Sequence, residues 1–260
     1  MVHDVYNKKL MRIVSLNSWG AQMAEPFFVF VTEQAPSVDV FCFQEVLRGG
    51  SGLTKRNERK DQYEQMAAIL PDFTGYFFPY GEGGYYQESL ASMDFEFGVA
   101  CFVRTSMRQS LGKGISLVDL RRKWNDYSGG FAAGAALAVL VEDMVVVNVD
   151  GFWQGGIKED TEAKIEQSKQ LLELARMFEG KKIICGDFNL LPHANSIQMF
   201  RDKYQDLIKV YDIRDTRGIL YTKEHRYSDY AFVDKALVVQ SFSVPNMSVS
   251  DHLPLLISLE

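Results

Sequence analysis

The sequence is poor in cysteine, lacks a positive surplus and has no long apolar run. Its three cysteines, Cys42, Cys101 and Cys185, form no C-x-x-C pair, which removes the usual zinc-ribbon and disulfide-scaffold classes. Each sits inside an apolar strand-like run, so buried reduced thiols and a cytoplasmic protein are expected. Lys and Arg total 28 against 34 Asp and Glu, a net charge of −6. Proteins that hold nucleic acid non-specifically gain affinity from a basic face. The acidic balance therefore argues against duplex DNA, though a local patch can oppose it. The most extended apolar stretch, FAAGAALAVLV at Phe131–Val141, is too short to span a bilayer and suits a buried strand. The polar start MVHDVYNKKL carries no secretory signal pattern. There is no internal repeat, low-complexity tract or linker.

What is present is the composition of a globular chain with a sizeable core: 260 residues, 47% hydrophobic and 24% charged. Residues 1–10 read as an N-terminal extension, unless Met11 is the true start, and residues 11–260 as a single domain. Strand-like runs recur at Arg12–Leu16, Val38–Phe43, Thr74–Phe78, Phe97–Arg104, Phe131–Val141, Met144–Val149, Lys182–Cys185, Tyr230–Val239 and Leu253–Leu259. Helical periodicity is clearest over Thr161–Phe178, with further helices expected over Ala21–Gln34, where Pro26 marks a start or kink, and Asp61–Leu70. Many strands follow one another with no helix between them. That order predicts an α/β (α+β) fold of two mostly antiparallel sheets packed together with helices outside. The segment Gly49–Lys60, GGSGLTKRNERK, reads either as a solvated surface loop or as a mobile substrate-side loop carrying Lys55, Arg56 and Arg59.

Polar residues collect where these strands end: Asn17, Gln44-Glu45, Gly186-Asp187-Phe188-Asn189 and Ser250-Asp251-His252. Singly, each has an ordinary reading as a cap, a turn or a solvated strand end. Together they make an oxygen-rich cluster of the kind Mg²⁺ takes, with carboxylates, an amide oxygen and retained waters. Phosphoester hydrolysis wants the same set: a cation to neutralise phosphate, an acid to orient water, and donors to the phosphate oxygens.

The segments LNSWG (Leu16–Gly20), FQEV (Phe43–Val46), CGDFNLLP (Cys185–Pro192), SDYAFV (Ser228–Val233) and SDHLPL (Ser250–Leu255) resemble, in order, the motifs of the endonuclease/exonuclease/phosphatase superfamily. The resemblance implies a four-layer α/β/β/α sandwich with the site at one edge of the two sheets. It implies Glu45 as the principal metal carboxylate, with Asn17 and Asp251 nearby, all oxygen ligands suited to Mg²⁺ or Mn²⁺. Asp187 resembles the acid that orients or activates the attacking water, and Asn189 the amide that contacts the phosphate. His252 resembles the histidine at the scissile phosphate and Asp229 the carboxylate that orients it. Glu96 matches a further acid more weakly, its ordinary reading being a strand-edge glutamate.

The match breaks at Val147-Asn148-Val149-Asp150. Many members place a phosphate-donating histidine where Asp150 stands. An ionised aspartate cannot donate and repels phosphate; two carboxylates about 4 Å apart cost roughly 4 kcal/mol at an effective dielectric near 20. Asp150 then binds a second cation, marks an altered substrate or degraded activity, or is a substitution. Beyond it, Trp153 is either a core residue or an aromatic platform, and His193 and His225 receive no role. The expectation is a divalent-metal-dependent phosphoester hydrolase acting on a small-molecule or single-stranded nucleic-acid phosphoester, with no membrane span. The alternative is a catalytically impaired binding or regulatory protein on the same fold.

Overall fold

The computed structural model describes residues 10–86, 89–117 and 134–260. The proposed extension therefore lies almost wholly outside the described residues, as do the first residues of the run Phe131–Val141. In chain order the elements are β1 (Met11–Asn17), α1 (Ala24–Gln34), β2 (Val40–Arg48), α2 (Gln62–Ile69), β3 (Phe73–Tyr86), β4 (Ser89–Arg104), β5 (Gln109–Leu117), β6 (Gly134–Val141) and β7 (Met144–Asp150). There follow α3 (Glu162–Arg176), β8 (Lys181–Asp187), α4 (Asn195–Arg201), β9 (Tyr204–Asp206), α5 (Leu207–Val210), β10 (Asp229–Asp234), β11 (Val239–Ser243) and β12 (Leu255–Leu259).

The strands form two six-stranded sheets, ordered β11-β12-β1-β2-β4-β3 and β5-β6-β7-β8-β10-β9. Each sheet is antiparallel except at its centre, where β1 pairs β2 and β7 pairs β8 in parallel. Side-chain alternation decides which face meets what. On β1 and β2, Ile13, Val40 and Cys42 enter the core between the sheets, together with Val146, Ile183 and Cys185 of the second sheet. Val14, Leu16, Phe41 and Phe43 point the other way, onto Phe27, Phe30 and Val31 of α1 and Met66 of α2. A fully buried phenylalanine contributes roughly 1.5–3 kcal/mol, and Phe27 and Phe43 also meet edge to face at 5.5 Å. Strand β7 is buried along its whole length because α3 and α4 cover its other side, supplying Leu171, Leu174, Ile197 and Phe200. This is the expected α/β/β/α sandwich. Helix α3 starts where Thr161 accepts from the Lys164 N–H and ends with Arg176 in its last turn, both favourable to a helix.

Several boundaries differ from the sequence expectation. The run Tyr230–Val239 is two strands in different sheets, parted by a turn in which Asp234 accepts from the N–H groups of Ala236 and Leu237. Helix α1 begins at Ala24 with Pro26 in its first turn, and Trp19–Ala21 form a separate 3₁₀ turn. The strands β5 and β9 and the short helix α5 carry no clear periodicity and were not expected. Most consequential, β2 does not end at Phe43. It continues to Arg48 across a bulge: Phe43 pairs Ala100 and Val46 pairs Gly98, leaving Gln44 and Glu45 opposite Val99 alone. Glu45 takes φ +52, which turns its side chain out of the strand's alternation.

Candidate active site

Strand register assembles the acids at one edge. Asn17 lies opposite Gln44 across the parallel pair of the first sheet. Asp187 lies between Asp150 and Asp229, its register partners on β7 and β10. Ser250 donates to the Asn17 carbonyl, which ties the Asp251-His252 segment to the first sheet. Asn17 Nδ2 reaches Glu45 of its own sheet at 3.0 Å and, across the gap, Asp187 at 3.3 Å. Glu45, Asp187 and His252 each offer a ligand atom, and these atoms lie within 4.8 Å of one another. Every site residue expected from the sequence apart from Glu96 belongs to this one network.

Within it the side chains have distinct partners. Asp187 accepts from the Asn189 N–H through Oδ1 at 2.8 Å. Its Oδ2 faces Asn17, Arg217 at 3.5 Å and His252 Nε2 at 3.6 Å. His252 Nδ1 lies 2.8 Å from Asp229 Oδ1, so the imidazole is held in one orientation. Asn189, at φ +53, gives its side-chain nitrogen to the Gly151 carbonyl. Asp150 Oδ2 accepts from the Tyr80 hydroxyl and, at 3.4 Å, from the Glu45 N–H.

Two expectations are changed. Glu96 is held by Arg48, whose Nε donates at 2.8 Å and whose guanidinium lies 4.1 Å from the Phe77 ring centre. It is an ion-pair partner on the first sheet. Asn17 turns its amide nitrogen to the carboxylates, while its oxygen accepts from the Trp19 N–H at 3.0 Å. It serves the acids as a donor, and to ligate a cation by oxygen the amide would have to turn over. Trp153 is partly exposed just beyond Asp150. His193 pairs with Glu159 at the surface and His225 is exposed, so neither enters the site. Lys55 and Arg56 are exposed on a loop that docks beside the turn after Asn17, where the Arg59 N–H meets the Gly20 carbonyl.

Sequence reasoning missed three residues. Arg217, 6% exposed, binds Asp251 Oδ2 at 3.0 Å and Ser228 at 3.0 Å, and it faces Asp187. Lys158, also buried, donates to the Tyr227 carbonyl. Tyr80 bonds Asp150 from β3. None lies in a motif, and the polar stretch around Arg217 looks like any solvated loop.

The electrostatics show an excess of negative charge. Burial, and then the nearby Asp251 carboxylate, push Glu45 up to about 8, against the Asn17 hydrogen bond. Burial and the Glu45 and Asp187 charges push Asp150 well above the usual carboxylate range. Burial raises Asp229 to about 6 despite Arg217. Burial and Arg217 lower His252 to about 3, against Asp251 and Asp187. Asp251 Oδ1 is buried and has no hydrogen-bond partner. Converging carboxylates, a buried bare oxygen and raised acid pKa values are the donor set of a hard divalent cation, and the residues fit one.

Comparison with known proteins agrees. The sequence profile described as "Endonuclease/Exonuclease/phosphatase family" matches residues 15–252. No curated protein sequence gives a significant match. Among solved structures, an endonuclease/exonuclease/phosphatase from Bacteroides vulgatus is similar at a TM-score of 0.63 and 15% identity, over 97% of this chain and 99% of that one. A mannosyl-6-phosphatase from Bacteroides thetaiotaomicron is similar at 0.67 and 17%, over 96% and 99%. The human Nocturnin catalytic domain with bound sulfate is similar at 0.63 and 20%, over 96% and 93%. At these identities the structures establish a shared fold. The profile, running from the first sheet's central strand to His252, goes further: this chain belongs to the endonuclease/exonuclease/phosphatase family.

Proposed function

We propose that the chain hydrolyses a phosphoester with a divalent metal, Mg²⁺ or Mn²⁺, using a water oriented and deprotonated by Asp187. The observation that carries this is the meeting of Glu45, Asp187 and His252 within 4.8 Å, beside Asp251 Oδ1, which is buried without a hydrogen bond. Glu45 and Asp251 would hold the ion. When bound, it supplies charge neutralisation for the phosphate and a Lewis acid at its oxygens.

The chain's own groups account for the rest. Asp187 has one oxygen fixed by the Asn189 N–H, which sets the direction of the other towards the centre of the cluster. A water there loses its proton to that oxygen as it attacks. Asp229 accepts from His252 Nδ1 and leaves Nε2 facing the centre. A phosphate oxygen brought to Nε2 adds negative charge, favours the protonated ring and receives a charge-assisted hydrogen bond. Asn189 offers its remaining amide hydrogen. Asp150 gives no histidine-like donation; the Tyr80 hydroxyl and a raised pKa blunt its repulsion.

Residues 11–260 act as one unit in this reading, supported by a profile match that spans both sheets. The net charge of −6 favours a small or single-stranded phosphoester over duplex DNA. The phosphatase and the sulfate-bound catalytic domain among the similar folds are consistent with either substrate. Among the described residues no helix is long and apolar enough to cross a membrane. A second reading, a binding or regulatory protein weakened in catalysis, is favoured by Asp150 alone. Hydrolysis of bis-p-nitrophenyl phosphate with added Mg²⁺ or Mn²⁺ separates the two: turnover supports the enzyme, and binding without turnover supports the regulator.

A further inference from the structure

Among the described residues, Arg217 is a buried cation that faces two of the site's acids, and nothing in the mechanism above requires it. Its guanidinium is buried. Nη1 binds Asp251 Oδ2 at 3.0 Å, Nη2 faces Asp187 Oδ2 at 3.5 Å, and Nε donates to Ser228 at 3.0 Å. Ser228 in turn donates to Asp229 at 3.0 Å. One planar fork therefore reaches two of the acids directly and a third through a hydroxyl, a geometry that lysine cannot copy. The Tyr221 ring lies under the guanidinium at 4.5 Å. The backbone is fixed as well: Arg217 forms an isolated bridge with His252, and Arg226 donates to the Arg217 and Gly218 carbonyls. Asp251 is left with its other oxygen, Oδ1, buried and without a hydrogen bond, 3.8 Å from His252 Nε2.

We propose that Arg217 is a resident counter-cation that aligns Asp187 and Asp251 and competes with the metal ion for them, so that Asp251 would have only Oδ1 left to offer an ion. The inference rests on the metal site proposed above. A fixed positive charge beside two of the acids lowers their affinity for a divalent ion and holds them apart without it. Its removal has opposite effects on the two observables. The acids gain net negative charge and bind the ion more tightly, while Asp187 loses the cation that holds Oδ2 in place alongside the Asn189 N–H on its other oxygen, and turnover slows. Loss of a merely structural residue would weaken both.

The test is Mn²⁺ titration calorimetry on metal-stripped protein, with kcat on bis-p-nitrophenyl phosphate and a melting curve for each variant. Arg217→Gln is expected to bind Mn²⁺ at least about tenfold more tightly, because a unit charge a few ångströms away is worth several times that at an effective dielectric near 20. Its kcat is expected to fall by about tenfold or more. Arg217→Lys keeps the charge without the fork, so its affinity should stay within about threefold of wild type while kcat still falls. Tyr221→Leu removes the platform and frees the guanidinium to leave, and should also tighten Mn²⁺ binding; it decides the matter if Arg217→Gln does not fold. Equal or weaker binding by folded Arg217→Gln or Tyr221→Leu overturns the proposal, and tighter binding by Arg217→Gln with unchanged kcat overturns the alignment of Asp187. Glu45→Gln distinguishes the layers. If wild type binds Mn²⁺ and Glu45→Gln does not, the metal site stands and only Arg217 is on trial. If neither wild type nor any variant binds Mn²⁺, the metal site falls and Arg217's role falls with it.

Discussion

At the scale of single residues, Asp187, Asp229 and Asp150 carry different work and separate cleanly. Asp187→Asn retains the acceptor for the Asn189 N–H, loses basicity, and turns an amide nitrogen to Asn17 and Arg217 in place of Oδ2. Its kcat should drop by about 10²-fold or more, with the melting temperature nearly unchanged, as for a lost general base; near-normal kcat would remove Asp187 from the chemistry. Asp229 predicts a pH dependence with a definite sign. Its carboxyl is raised to about 6 by burial, so it protonates as pH falls through that value and then accepts less strongly from His252. Activity should fall below about pH 6. Stability moves the other way for this group: a raised carboxyl favours the folded state below the unfolded value and loses that contribution as pH rises through about 6. An acid limb in kcat without a matching loss of fold identifies Asp229, and Asp229→Asn should abolish the limb. For Asp150, Asn keeps an acceptor for Tyr80 and should leave turnover equal or higher. Asp150→His adds a donor worth about 1.5–3 kcal/mol and should raise turnover roughly tenfold. A fall in both variants, with weaker Mn²⁺ binding, would make Asp150 a cation ligand instead.

At the scale of elements, the site depends on irregularities that regular patterning does not announce. The motif Phe43–Val46 was visible, but a bulge is a property of two strands, and nothing in β2 alone says that Gln44 and Glu45 share one partner on β4. The parallel pairing of β7 and β8 was likewise unmarked, although it sets Asp150 opposite Asp187. Asp187 and Asn189 could be read because Gly-Asp-Phe-Asn ends an apolar run, and the chain there needs its glycine. Gly186 has φ +135, and a Cβ would run into the Val149 carbonyl of the neighbouring strand. Gly186→Ala should cost about 2 kcal/mol or more of stability and misplace Asp187, seen as a lower melting temperature with lower kcat. A variant as stable and active as wild type would show that the turn relaxes freely. Arg217 stayed hidden for the opposite reason: its segment is irregular, and its partners come from β8 and from the loop before β12.

At the scale of the whole molecule, composition bounded the answer and motif order chose the fold. The apolar balance and the succession of strands gave two sheets with helices outside, which the structure bears out, down to the thiols of Cys42, Cys101 and Cys185 buried in the core. Burial on both faces made β6 and β7 legible as continuous apolar runs, whereas the half-exposed β5 at the edge of its sheet left no such signal. The net charge of −6 bears on substrate. Affinity for a single-stranded oligonucleotide should depend weakly on salt, and a log–log slope steeper than about −4 would reveal a long polyanion as partner. The central claim, that the Glu45-centred acids form the metal site of a phosphoesterase, is tested by one titration. Metal-stripped wild type and Glu45→Gln are each given increasing Mg²⁺ or Mn²⁺ while hydrolysis of bis-p-nitrophenyl phosphate is followed. The account predicts no turnover without metal, saturable recovery in wild type, and little or none in Glu45→Gln at the same concentrations. Full turnover in the stripped wild type, or equal recovery in the two proteins, would contradict it.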